Sequence, residues 1–237
     1  ITTWTAAADN SAGGWELDTS GVIIGAIKVP QGILVATDID IHLIEYIGPP
    51  DYYSRRLISD ETGVVSPKGM ASLPNGAILV GQHSFWKFNG GISKLLCTVS
   101  DEVFHLGNLN QPLGCFIGIN EAVQEVWFFY PGAGEVEASR YVNFKYAENN
   151  QWWSKGMLTR TAWLNPVWTS KPYAANNLDI YEHESGWTDD GSERDVYAET
   201  GAFEIAQGKS NMGVSRIYHD TFLQSDYSVT EIGRAHV

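Results

Sequence analysis

The sequence predicts an all-β protein: a β-propeller-like repeat of four-stranded antiparallel blades, followed by the start of a further β domain. Three observations predict it. The 237 residues include 9 Trp, 11 Tyr, 9 Phe and 24 Gly, a composition that favours strands and turns over helices. A loose unit recurs: a Gly, Asn or Pro turn, a short apolar strand, a polar turn, then a strand ending on an aromatic residue. Side chains also alternate with period two within several of these strands.

The elements follow in order. Residues 22–29 read as the first strand of the first unit. Gln31-Gly32 then opens a strand over 33–36, and Asp38-Ile39-Asp40 turns it into a strand over 41–46 that closes on Tyr46. The second unit runs from Pro74-Asn75-Gly76 through 77–80 and 84–88 to Phe88, with Asn89-Gly90 as a hairpin turn. The third pairs 125–130 with 140–146 across a Gly-rich loop at 131–134. Val126, Trp127, Phe128, Phe129 and Tyr130 are all apolar or aromatic, which fits a strand buried on both faces between packed sheets. The fourth pairs 172–175 with 178–181, ending on Tyr181. The closing aromatics Tyr46, Phe88, Tyr146 and Tyr181 recur at intervals that bracket the roughly 40–50 residues of a propeller blade. A tandem of β-sandwiches satisfies the same strand pattern. One short helix is expected over 101–109, with Ser100 as its N-cap.

Residues 1–185 are thus expected to hold the blades, 186–194 a polar linker, and 195–230 the beginning of a further β segment. The last six residues, Ile232-Gly233-Arg234-Ala235-His236-Val237, read as a translated sequencing adapter. Residues 231–237 are therefore expected to be an adapter-derived tail, and the chain a fragment from environmental sequencing.

Hydrophobic residues make up 43% of the chain and charged residues 18%, enough to bury a core. The formal net charge of -13 argues against a phosphate-binding surface over the whole chain. No apolar run approaches the roughly 20 residues that span a bilayer. Cys97 and Cys115 sit in apolar stretches and read as buried free thiols, too few for a disulfide framework or a zinc site.

No Walker A loop, GxSxG elbow, HExxH or post-strand GxGxxG occurs. The weaker constellations read as structure. Asp38 and Asp40 lack the glycine and the bidentate glutamate of a calcium loop. Asp189-Asp190-Gly191-Ser192-Glu193 lacks that loop's order too. In Glu182-His183-Glu184 a strand points the carboxylates one way and the imidazole the other, which no single metal satisfies. His42 reads as a core histidine on the side of Ile44 and Tyr46. Asp38, Glu45, Glu125 and Asp179 are acidic candidates for a glycosidase pair, at a number expected by chance among 28 acidic residues. Trp127, Trp152, Trp153, Trp163, Trp168 and Trp187 read as rings interlocking between blades and at subunit contacts. No catalytic residue, metal ligand or cofactor is expected. The interface candidates are Pro49, Pro50, Tyr52, Tyr53, Arg55 and Arg56, in an exposed loop over 49–56, and the pair Trp152 and Trp153. A second mobile loop is expected over 132–139.

Several phrases occur in a telling order. They are Trp4-Thr5-Ala6-Ala7 with Asn10-Ser11-Ala12-Gly13, Gly32-Ile33-Leu34-Val35-Ala36-Thr37-Asp38, and Ile41-His42-Leu43-Ile44-Glu45-Tyr46-Ile47-Gly48-Pro49-Pro50. Leu96-Cys97-Thr98-Val99, Glu125-Val126-Trp127-Phe128-Phe129-Tyr130-Pro131, Arg160-Thr161-Ala162-Trp163 and Tyr181-Glu182-His183-Glu184 follow, then Asp189-Asp190-Gly191-Ser192. Together they resemble structural proteins of tailed phages, especially short-tailed marine types. The class is that of propeller-bearing tail hub or nozzle proteins, which includes packaged-DNA stabilisation proteins. Where those relatives tend to carry Pro-Asp after the strand at 212–217, this chain has Tyr218-His219-Asp220. The resemblance implies a non-enzymatic virion component, made in the host cytoplasm. It implies several copies in a ring, contacts with portal, adaptor and tail proteins, packaged DNA as a transient neighbour, and no membrane. The alternative is a carbohydrate-binding or glycoside-hydrolysing propeller.

Overall fold

A computed structural model describes residues 5, 7, 10, 12–17, 19–147, 151–166, 169–186, 188–189 and 191–193. The chain divides into two compact units, Ile1–Gly186 and Trp187–Val237. Almost all regular structure in the first unit is strand, arranged as consecutive antiparallel meanders.

The first sheet contains β1 (Ile23–Val29), β2 (Gly32–Thr37), β3 (Ile41–Gly48) and β4 (Tyr52–Ser59), paired in that order. The second contains β5 (Met70–Leu73), β6 (Gly76–Val80), β7 (Phe85–Phe88) and β8 (Ile92–Leu95). A helix, α1 (Ser100–Phe104), precedes the third sheet. That sheet contains β9 (Phe116–Asn120), β10 (Glu125–Tyr130), β11 (Arg140–Lys145) and β12 (Trp152–Met157). The fourth has three strands: β13 (Ala162–Leu164), β14 (Tyr173–Ala175) and β15 (Ile180–Glu182).

The first strands of the sheets touch one another in order: β1 against β5, β5 against β9, β9 against β13. A parallel bridge joins Lys68, just before β5, to Phe116 in β9, and the Ile117 N–H donates to the Lys68 carbonyl at 2.9 Å. Sequential meanders with neighbouring first strands are the arrangement of propeller blades. The predicted fold class holds, and the recurrent unit in the sequence corresponds to the second and third strands of each sheet.

Glycine at the head of the second strand repeats for a steric reason. Gly32 and Gly76 have φ of +155° and +150°, and a Cβ at either would collide with a carbonyl on the neighbouring strand, that of Ile44 or Phe88. Only glycine accepts that backbone at that approach.

The core lies between sheets. Leu34, Ala36, Ile41 and Leu43 of the first sheet pack on Ala77, Leu79 and Phe88 of the second. The opposite face of the second sheet, with Ile78, Val80 and Phe85, packs on Val126, Phe128 and Phe144 of the third. Trp127 and Phe129 then face the fourth sheet, where Trp163 completes the cluster. β6 is buried at every position and β10 at four of six, because alternate side chains enter different cores. Each fully buried large apolar side chain contributes about 1.5–3 kcal/mol.

Three expectations need correction. The expected loop over 49–56 is a turn at 49–51 followed by β4, so Tyr52, Tyr53, Arg55 and Arg56 lie on an edge strand paired with β3. The helix ends at Phe104, and Val99 occupies the N-cap position with no side-chain cap, leaving Ser100 inside the first turn. The chain leaves the helix early because Gly107 bridges Gly132 and the Asn108 N–H donates to the Pro131 carbonyl. The loop over 132–139 is pinned: the Glu135 carboxylate accepts from the Gly132 N–H and the Ser139 hydroxyl, and Asn108 Nδ2 donates to the Glu135 carbonyl. The hydrogen bonds from the Ser139 hydroxyl and the Gly132 N–H hold the Glu135 carboxyl below its ordinary pKa.

In the second unit, β16 (Thr188–Asp189) and β17 (Ser192–Glu193) form a hairpin inside the stretch expected to be a linker. The β segment expected at 195–230 and the tail at 231–237 lie outside the described residues.

Candidate functional site

The side chains of the first sheet's outward face are fixed by register. Ile33 opposes Ile44, His42 opposes Leu57, and Tyr46 opposes Tyr53. Cα partners share a face, so these six point away from the second sheet. Ile33 is 45% exposed and Tyr46 66% exposed, and Tyr53 and Leu57 are exposed too. Tyr46 and Tyr53 meet edge to face, with ring centroids 5.5 Å apart. Arg55, opposite Ile44, shares the face, whereas Arg56 points the other way and places its Nε 3.5 Å from Glu45 Oε2. The exposed part of this face is apolar and aromatic with Arg55 at its edge, whereas His42 is buried.

Of the sequence-predicted interface residues, Tyr53 and Arg55 fall on this face. Pro49 and Pro50 sit exposed in the turn beside it, and Tyr52 begins β4 with φ +58°. Trp152 and Trp153 do not join it, since they lie on β12 of the third sheet. Trp152 is exposed, with Lys145 Nζ 5.9 Å from its ring. Trp153 serves the core: its ring packs 4.8 Å from Phe85 and 4.7 Å from Phe144, and its Nε1 donates to the Leu96 carbonyl at 2.9 Å. Ile33, Tyr46 and Leu57 belong to the surface and were not singled out as interface residues. The signal that could have found them is the repeat, because Ile33 follows Gly32 as Ala77 follows Gly76.

The other aromatic candidates interlock between sheets. Trp127 stacks on Trp163 at 5.9 Å and tilts against Tyr141 at 4.6 Å. Trp168 and Trp187 lie outside the described residues.

Most of the polar candidates have structural partners. The Asp38 carboxylate accepts from the Val22 N–H at 2.7 Å. Buried Asp40 accepts from the Thr19 and Thr37 hydroxyls, and His42 Nε2 lies 3.3 Å from its Oδ1. Burial works to raise the Asp40 pKa, but those hydrogen bonds and His42 together hold it below the ordinary carboxylate value. Glu125 accepts from Trp127 Nε1 and Asn143 Nδ2. The Asp179 N–H donates to the Asn176 side chain in a turn. Glu45 lies beside Arg56, so the four glycosidase candidates, Asp38, Glu45, Glu125 and Asp179, sit in separate local settings. His183 accepts from Arg160 Nε at 3.2 Å and packs 4.8 Å from the Trp163 ring, and Glu182 lies 3.7 Å from Lys171 Nζ. Among the described residues no group of three or more His, Cys, Asp or Glu side chains is placed to hold a metal ion.

Cys115 is buried and Cys97 half-buried, and neither forms a disulfide. Burial pushes the Cys115 thiol up to about 12 and the Cys97 thiol up to about 11. No helix among the described residues is long and apolar enough to cross a membrane.

No protein-family model matches the chain, and no curated protein matches it.

Proposed function

We propose that this chain is a structural component of a tailed-phage virion, part of the tail hub or nozzle at or below the head-to-tail junction, where it helps retain and conduct packaged DNA. The observation that carries the reading is physical: a series of packed sheets in a chain of net charge -13 leaves an apolar, aromatic face partly exposed. An acidic wall repels the phosphates of a passing duplex and does not grip it. An open apolar face suits permanent neighbours, here other copies in a ring together with portal, adaptor and tail proteins. The ordered sequence phrases supply the virion context for that physics.

The test is fluorescence anisotropy of a labelled duplex titrated with the full chain at about 0.15 M salt. The expected result is no saturable binding tighter than the ordinary non-specific range of about 10⁻⁴–10⁻⁶ M. Binding well below that range would overturn the conduit reading.

A further inference from the structure

Asn-Gly occurs twice in the chain, at Asn75-Gly76 and at Asn89-Gly90, and both pairs stand at hairpin turns of the second sheet. The dipeptide carries a chemistry of its own. An asparagine side-chain carbonyl carbon lies within reach of the next backbone nitrogen, and glycine puts no Cβ in the way of the attack. The attack needs a backbone free to bring that nitrogen onto the side chain. The two turns differ in this respect.

Gly76 is held. It begins β6, where it is buried and paired with Leu73. Its φ is +150°, and the Phe88 carbonyl of β7 lies 1.9 Å from where its Cβ would stand. Swinging the Gly76 nitrogen out of the ladder therefore means opening β6 from both of its neighbours. Gly90 is unencumbered. It lies between β7 and β8 at a φ of +82°, and open space surrounds the Cβ positions of both Gly90 and Gly91. The backbone bond of this turn runs from the Asn89 N–H to the Gly91 carbonyl at 3.0 Å, so it does not use the Gly90 nitrogen. Asn89 itself is exposed.

We propose that Asn89 is a self-modifying site, which converts in the folded chain to a mixture of isoaspartate and aspartate, whereas the ladder around Gly76 preserves Asn75. Solvent base removes the Gly90 N–H proton, and the nitrogen attacks Asn89 Cγ. The new N–Cγ bond closes a succinimide ring. The Cγ–Nδ2 bond breaks, and Nδ2 takes a proton from solvent and leaves as ammonia. Water then adds to either ring carbonyl and opens the ring. Attack at Cγ gives aspartate, and attack at the main-chain carbonyl gives isoaspartate. Nothing is oxidised or reduced, and water is the co-reactant. The product adds one negative charge to the formal -13. Isoaspartate also lengthens the main chain by a methylene, which the open turn at 89–91 accommodates. The chemistry does not depend on the virion reading.

The experiment is peptide mass spectrometry of the full chain aged for days in mildly alkaline buffer, with the same chain in urea as the unfolded reference. An amide-to-acid mass gain locates each conversion, and chromatography separates isoaspartate from aspartate. In the native chain the Asn89 peptide is expected to convert at least about tenfold faster than the Asn75 peptide, because cyclisation at Asn75 waits on opening of the hairpin. In urea the two are expected to convert at similar rates. Asn89→Gln, whose longer side chain disfavours the ring, is expected to stop conversion in that peptide and leave Asn75 unchanged. Native conversion of Asn75 as fast as Asn89, a rate difference that persists in urea, or aspartate without isoaspartate would each overturn the proposal.

Discussion

The Trp163 indole lies across Gly118 so closely that a Cβ on that glycine would sit 2.5 Å from the ring. Gly118 is on β9 and Trp163 on β13, so this contact sets the approach of the third and fourth sheets. Trp163→Ala removes a large ring from the cluster with Trp127 and Phe129 and is expected to cost about 3–5 kcal/mol. Gly118→Val pushes the same ring away from the other side. Urea denaturation is expected to show both losses, with the double variant less than additive because the two share one contact.

The repeated turn glycine gives a paired comparison. Gly76→Ala places a methyl group against the Phe88 carbonyl at a φ of +150°. Gly134 has a φ of +79° with open space around it. Gly134→Ala is expected to cost about 1 kcal/mol from backbone strain alone. Gly76→Ala is expected to lower the thermal midpoint considerably further, and a comparable shift in both variants would contradict the collision.

These two sites also show which parts of the fold were legible. β10 could be read because both of its faces are buried, which writes Val-Trp-Phe-Phe-Tyr without interruption. The turn glycines could be read because no other residue fits them. β4 could not: Tyr53, Arg55 and Leu57 alternate toward a face that stays partly exposed, so no burial pattern separates the strand from a polar loop. For Trp153 the sequence allows both an inter-sheet and an interface reading, because it does not tell an aromatic between sheets from one outside them. Its contacts with Phe85 and Phe144 come from segments far away in the chain.

Asp40 makes stability depend on acid. Its folded pKa lies below the ordinary value of about 3.9, so the carboxylate stabilises the fold above that value. This contribution is lost as pH falls through the lower folded pKa. The groups facing it are the Thr19 and Thr37 hydroxyls and His42. In urea titrations between pH 6 and about pH 2, Asp40→Asn is expected to be less stable than wild type near neutrality and to lose less on acidification. A parallel pH dependence in the two proteins would contradict the assignment.

The two thiols should resist modification for the same reason that they are buried. With pKa values pushed to about 11 and about 12, neither Cys97 nor Cys115 carries appreciable thiolate at pH 8. Reaction with a chromogenic disulfide reagent is expected to be slow in the native chain and fast in urea, with Cys115 the slower of the two. Rapid native labelling of Cys115 would contradict its place in the core between the second and third sheets.

The central claim is that consecutive sheets of the first unit share their cores. Amide hydrogen exchange read strand by strand tests it most directly. β6 is buried at every position between the first and third sheets, whereas β4 is an edge strand with exposed positions on both faces. The account expects the amides of β6 to exchange far more slowly than those of β4. Equal exchange in the two strands would contradict it.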